Sequence, residues 1–154
     1  MARATVELVD ALRRTAARLA AGGAYRWSHF GQCNCGNLAQ TITCKSPQEL
    51  QHAAYIGGDD WGAQAREYCP TSGYPLDFVF EALFAIGMEA SDVQRLERLS
   101  DGRVLQYLGR SDLKHNERDD VVRYMLAWAD LLAQEIAGAA SVATTQEELP
   151  FAAE

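Results

Sequence analysis

Sulfur and imidazole are the side-chain groups best suited to holding soft metal ions, and in this chain they are unevenly distributed. Three of the four cysteines fall between Tyr25 and Cys44, where the sequence reads Tyr-Arg-Trp-Ser-His-Phe-Gly-Gln-Cys-Asn-Cys-Gly-Asn-Leu-Ala-Gln-Thr-Ile-Thr-Cys. His29 precedes Cys33 by four positions, Cys35 follows two later, and Cys44 closes the segment. Cys69 stands apart, immediately before Pro70. Four thiolates are the donor set of a closed zinc site and equally of an iron-sulfur cluster. The expectation is that Cys33, Cys35, Cys44 and Cys69 converge on one metal centre.

Spacing discriminates between the two centres. Zinc is usually held by two compact pairs, whereas this chain has one tight C-x-C followed by single cysteines after eight and twenty-four intervening residues. Iron-sulfur clusters draw ligands from more separated segments, and a cluster cysteine followed by proline occurs in ferredoxin spacing. Cys69-Pro70 has that form. An iron-sulfur cluster for electron transfer or redox sensing, served by a protein redox partner, is therefore the first reading, and zinc the second. His29 is assigned to cofactor binding, either replacing a cysteine or donating a hydrogen bond to a cluster sulfur.

Two readings without a cluster compete. Free cysteines are among the most buried residues and often only fill space, which would make the chain a helical protein-interaction domain with metal-free structural cysteines or a structural zinc. Alternatively Cys33 or Cys35, paired with His29 as base, would be the nucleophile of a thiol-dependent enzyme. Gln32, Asn34, Gly36 and Asn37 around the C-x-C motif are turn-forming types and predict a surface location. A short helix starting near Cys35 or Gly36 would present unpaired N–H groups to the sulfurs and lower their pKa toward the thiolate form.

The elements that must position these groups read as helices throughout. At 154 residues and 48% hydrophobic content, the composition is that of one ordinary globular domain that can build a core without cross-links. Leu8, Val9, Leu12, Ala16 and Leu19 recur at spacings of three and four, the stripe of an amphipathic helix over residues 2–21 stopped by Gly22-Gly23. Ser46-Pro47-Gln48-Glu49 is a capping box with proline at the first helical position, and predicts a helix to about Ile56. Asp60 is read as capping a short helical segment that stops at Cys69-Pro70, followed by a corner from Thr71 to Pro75. Residues 76–86 are apolar at nearly every position and predict a buried central helix. Ser91 to Gln94 reads as a second capping box, opening a helix through Leu99. A short helix follows Asp101-Gly102, and a long one capped by Asn116 carries Val121, Met125, Trp128, Leu132 and Ile136. Beyond Gly138 the periodicity ends.

The expectation is a small single-domain all-α helical bundle over residues 1–138, with a flexible C-terminal tail over 139–154. Acidic residues outnumber basic ones by 21 to 14, which opposes attraction to nucleic acid or anionic lipid. No apolar run reaches the length of a membrane span. Arg13, Arg14 and Arg18 interrupt the only stretch resembling a secretory signal, so a cytoplasmic location is expected, where cysteines at such spacings serve as ligands or reactive thiols rather than disulfides.

Overall fold

The computed structural model describes residues 2–27, 29, 31–50 and 77–147. Among them the secondary structure is entirely helical: α1 (Val6–Ala20), α2 (Asn34–Thr43), a helical turn at residues 47–50, α3 (Asp77–Ala85), α4 (Ala90–Arg98), α5 (Gly102–Leu108) and α6 (Arg118–Glu147). The all-α expectation holds. His52, Trp61 and Cys69 lie outside the described residues, as do the expected end of the Ser46 helix, the Asp60 segment and the Thr71 to Pro75 corner.

The core is the product of two amphipathic helices. Leu8, Leu12, Ala16 and Leu19 of α1 lie fully buried, as do Val121, Tyr124, Met125, Ala129 and Leu132 of α6, and these two helices make the largest interhelical contact. Each fully buried leucine contributes about 1.5–3 kcal/mol relative to exposure. Trp128 meets the Tyr124 ring edge-on at 6.3 Å, and the Tyr124 hydroxyl accepts the Asp101 N–H at 3.0 Å, which ties the start of α5 to the core.

Local signals explain where helices begin and end. Thr5 caps α1 by accepting the Leu8 N–H at 3.1 Å, while its hydroxyl donates to the Ile86 carbonyl at 2.6 Å. Arg3 N–H donates to the Gly87 carbonyl at 2.8 Å. Gly87 has φ +112°, and a Cβ there would lie 2.7 Å from the Arg3 carbonyl oxygen, so only glycine lets the chain pass so close to the N-terminal segment. Ser46 and Glu49 form the reciprocal capping box expected of them, Ser46 N–H to Glu49 Oε2 at 2.7 Å and Glu49 N–H to Ser46 Oγ at 3.2 Å. Asp101 caps α5, and Gly109 ends it in the left-handed region.

Four expectations are corrected. The capping box of α4 is Glu89 with Asp92 rather than Ser91 with Gln94, because Asp92 turns its carboxylate back to the Glu89 N–H at 2.9 Å. The last helix starts at Arg118, two residues after Asn116, and Asp120 is held against the Lys114 N–H at 3.0 Å. It also runs past Gly138 to Glu147. Alanine is the strongest helix former, so the Ala-rich stretch continues the helix on intrinsic propensity without an apolar face. Finally, α3 is not buried all round: Leu83 is fully buried, but Phe84 is 40% exposed and stacks on half-buried Phe80 at 5.4 Å. No helix among the described residues is long and apolar enough to cross a membrane.

Candidate metal centre

The C-x-C motif opens α2. Cys33 is its N-cap residue and makes no side-chain cap bond; its N–H donates to the His29 carbonyl at 3.0 Å. Cys35 lies one residue inside the first turn, so both sulfurs stand at the same helix end, 3.8 Å apart. They are buried, at 2% and 4% exposure. The capping bond that Cys33 cannot supply comes from another helix. Glu97, in the last turn of α4, accepts the Cys35 N–H on Oε1 at 2.6 Å.

The three side chains form one group. Among the described residues Cys33, Cys35 and Glu97 are the only set of three metal-ligating side chains whose donor atoms all lie within 4.8 Å of one another. Glu97 is 8% exposed, and among the described residues its buried Oε2 has no hydrogen-bond partner and it joins no ion pair. An uncompensated buried carboxylate is costly unless a cation answers it.

A polar frame holds the two ligand-bearing segments together. Asn34, fully buried between the cysteines, donates its amide to the Leu96 carbonyl at 3.0 Å and the Glu97 carbonyl at 3.1 Å. At this C-terminal end of α4 the Leu96 carbonyl otherwise receives only the long 3.4 Å bond from the Leu99 N–H, as last-turn carbonyls run out of helical donors. The Tyr25 hydroxyl lies 2.8 Å from Asn34 Oδ1 and 2.7 Å from the His115 carbonyl, sharing its hydrogen between them. Burial first, then the negative charges of Glu97 and Cys33, hold the Tyr25 phenol above its ordinary range, so it stays a donor. Asn37 donates to the Gln32 carbonyl at 2.7 Å and the Cys33 carbonyl at 3.2 Å. A Cβ on Gly36 would lie 2.7 Å from Gly31 Cα, so α2 rests directly on the backbone of the loop before it.

The sequence-derived site residues divide accordingly. Cys33 and Cys35 come together. Cys44 does not join them: it is exposed, and ends α2 in the left-handed conformation at φ 55°. Nine residues of helix put its Cα about 13 Å along the axis from Cys35, too far for both to ligate one ion. Cys69 lies outside the described residues. His29 contributes backbone groups, its carbonyl accepting from Gln32 and Cys33, and its imidazole is not in the three-residue group. His115 instead packs its ring against Trp27 at 4.5 Å.

Two further expectations are overturned. The Asn and Gly residues flanking the cysteines are buried, because Asn34 and Asn37 spend their amides on backbone carbonyls rather than on water. The Cys35 thiol is shifted upward rather than downward: its contact with the Cys33 sulfur, then burial, then the charges of Cys33 and Glu97 hold it well above the ordinary thiol range. The helix terminus does not outweigh these. Glu97 was missed altogether, since an acidic chain carries many carboxylates. One signal was available: Val93, Leu96 and Glu97 share a helical face, which places a carboxylate on the apolar side of α4.

Comparison with protein-family profiles, with curated proteins and with solved structures found no match to this chain. Its chemistry is read from the geometry alone.

Proposed function

We propose that this chain is a metal-binding protein in which Cys33, Cys35 and Glu97 hold a single thiophilic divalent ion, zinc being the best fit. The observation that carries the reading is the buried Glu97 carboxylate beside two thiols, with one oxygen unpartnered and no cation paired to it among the described residues. Two thiolates and a carboxylate in a space of this size need positive charge, and a bound cation provides it.

A mononuclear ion suits the distances better than a cluster. Sulfurs at 2.3 Å from a tetrahedral zinc lie about 3.8 Å apart, and the observed separation is 3.8 Å. The same distance suits an S–H···S contact in the metal-free protein, so the ion enters without moving the backbone. An iron-sulfur cluster is most often held by four cysteines, whereas Cys44 stands at the far end of α2 and the His29 imidazole is not in the three-residue group. Burial of both sulfurs favours a structural role, in which the ion clamps the start of α2 to the end of α4. Cys69 is the candidate for the fourth position.

Metal analysis of the purified full-length chain tests this. The expected result is colourless protein with one zinc per chain, retained by Cys44→Ser and lost in Cys33→Ser and Cys35→Ser. Glu97→Gln keeps an acceptor for the Cys35 N–H but removes the charge, so it should fold yet bind zinc at least about tenfold more weakly. Cys69→Ser with zinc affinity unchanged would leave the fourth position to solvent. Brown protein containing iron and sulfide would establish the cluster reading instead, and metal-free protein that takes up no added zinc would leave the cysteines as packing residues.

A further inference from the structure

A second site lies at the opposite end of α2 and is independent of the thiol centre. Here α1 and α2 run antiparallel, Thr15 Oγ1 meeting Thr41 Oγ1 at 2.7 Å and the Arg18 guanidinium donating to the Asn37 carbonyl at 2.8 Å. Beside this seam is an open cavity of about 360 Å³. Three cations line it, Arg14, Arg18 and Lys45, together with Gln40, Thr41 and Ser46. No carboxylate is among the lining residues, on a chain with 21 acidic and 14 basic residues. Such segregation of charge focuses an attractive field for anions in one place.

The partners of these groups sharpen the case. Gln40 donates to the Gly31 carbonyl, Thr41 accepts from Thr15, and Ser46 Oγ accepts the Glu49 N–H, so the neutral lining serves the fold, while Arg18 meets only neutral acceptors among the described residues, the Asn37 carbonyl at 2.8 Å and Gln40 Oε1 at 3.4 Å. Among the described residues Arg14 pairs only with Asp10, at 3.4 Å, with both side chains 61% exposed, a pairing of little strength. Arg18 pairs with no carboxylate among the described residues, and its burial disfavours the charged form. A counter-anion would relieve that.

We propose that this groove binds a small phosphate-bearing anion, either inorganic phosphate or a phosphomonoester, between Arg14, Arg18 and Lys45. Two arginines and a lysine match the charge and the several acceptor oxygens of a phosphate dianion better than a single carboxylate does. The volume is at the lower end for small-ligand pockets, and the chain's overall negative charge opposes a polyanion.

Cys44, exposed and part of the lining, is a built-in reporter. Full-length protein as purified is treated with iodoacetamide, and alkylation of Cys44 is followed by peptide mass spectrometry at constant ionic strength. Inorganic phosphate and glycerol 3-phosphate are the probes, with chloride as the control. A ligand at about ten times its Kd slows a thiol that reacts only in the free state about elevenfold. Slowing by inorganic phosphate alone assigns the free ion, and slowing by both assigns the phosphomonoester class. Arg14→Gln, which leaves only the surface contact to Asp10, should need at least about tenfold more phosphate for the same protection. Alkylation unaffected by either probe at about 10 mM, slowed equally by chloride, or protected to the same degree in Arg14→Gln, overturns the proposal.

Discussion

Asn34→Ala is the sharpest test of how the cysteine turn is held. The wild-type amide makes two bonds to carbonyls at the end of α4, at 3.0 and 3.1 Å, and its oxygen receives the Tyr25 hydroxyl at 2.8 Å. Each such bond contributes about 1 kcal/mol net. Alanine removes all three and leaves the Leu96 and Glu97 carbonyls buried without these donors. The Tyr25 hydroxyl still has the His115 carbonyl as acceptor, so that bond is redistributed rather than lost. The expected destabilisation is about 2–3 kcal/mol, rising to about 3–5 kcal/mol for Asn34→Asp, which sets a carboxylate against two carbonyl oxygens. Urea unfolding with a chelator present measures this without any contribution from metal. In zinc the deficit should grow, because displacement of Glu97 costs affinity as well. A loss below about 0.5 kcal/mol for Asn34→Ala, the level of a surface substitution, would refute the assignment of Asn34 as the tie between α2 and α4.

Two further outcomes follow from geometry and charge. Because the Cys35 thiol is held above its ordinary range, it is protonated at neutral pH, so zinc binding must expel its proton and apparent affinity should rise with pH; calorimetry in buffers of different ionisation enthalpy should register net proton release. Gly87→Ala forces a Cβ to 2.7 Å from the Arg3 carbonyl oxygen at φ +112°, and should lower stability by about 1–3 kcal/mol in thermal or denaturant unfolding.

The features legible in the sequence are those encoded locally. The apolar stripe of α1, the Ser46 and Glu49 box, the short helix after Asp101-Gly102 and the core face of α6 each depend on residues within a turn or two of one another, and each was read correctly. The pairing of Cys33 with Cys35 was legible for the same reason. What escaped was tertiary. Nothing near Asn34 or Asn37 announces that their amides will face carbonyls in a dry interior, and Glu97 reaches Cys35 across 62 positions. The thiol shift was misjudged because the helix terminus is visible in sequence whereas burial beside another sulfur is not. Cys44 was grouped with the pair on composition, although a ten-residue helix carries it away.

The bond from the Cys35 N–H to Glu97 Oε1 carries an implication for the tempo of metal exchange. It fixes the carboxylate by one oxygen before any ion arrives, and the other oxygen stands ready. An arriving ion would therefore not have to recruit a wandering third ligand. Its capture would be paced by departure of the Cys35 proton from a closed interior, and its escape by that proton's return.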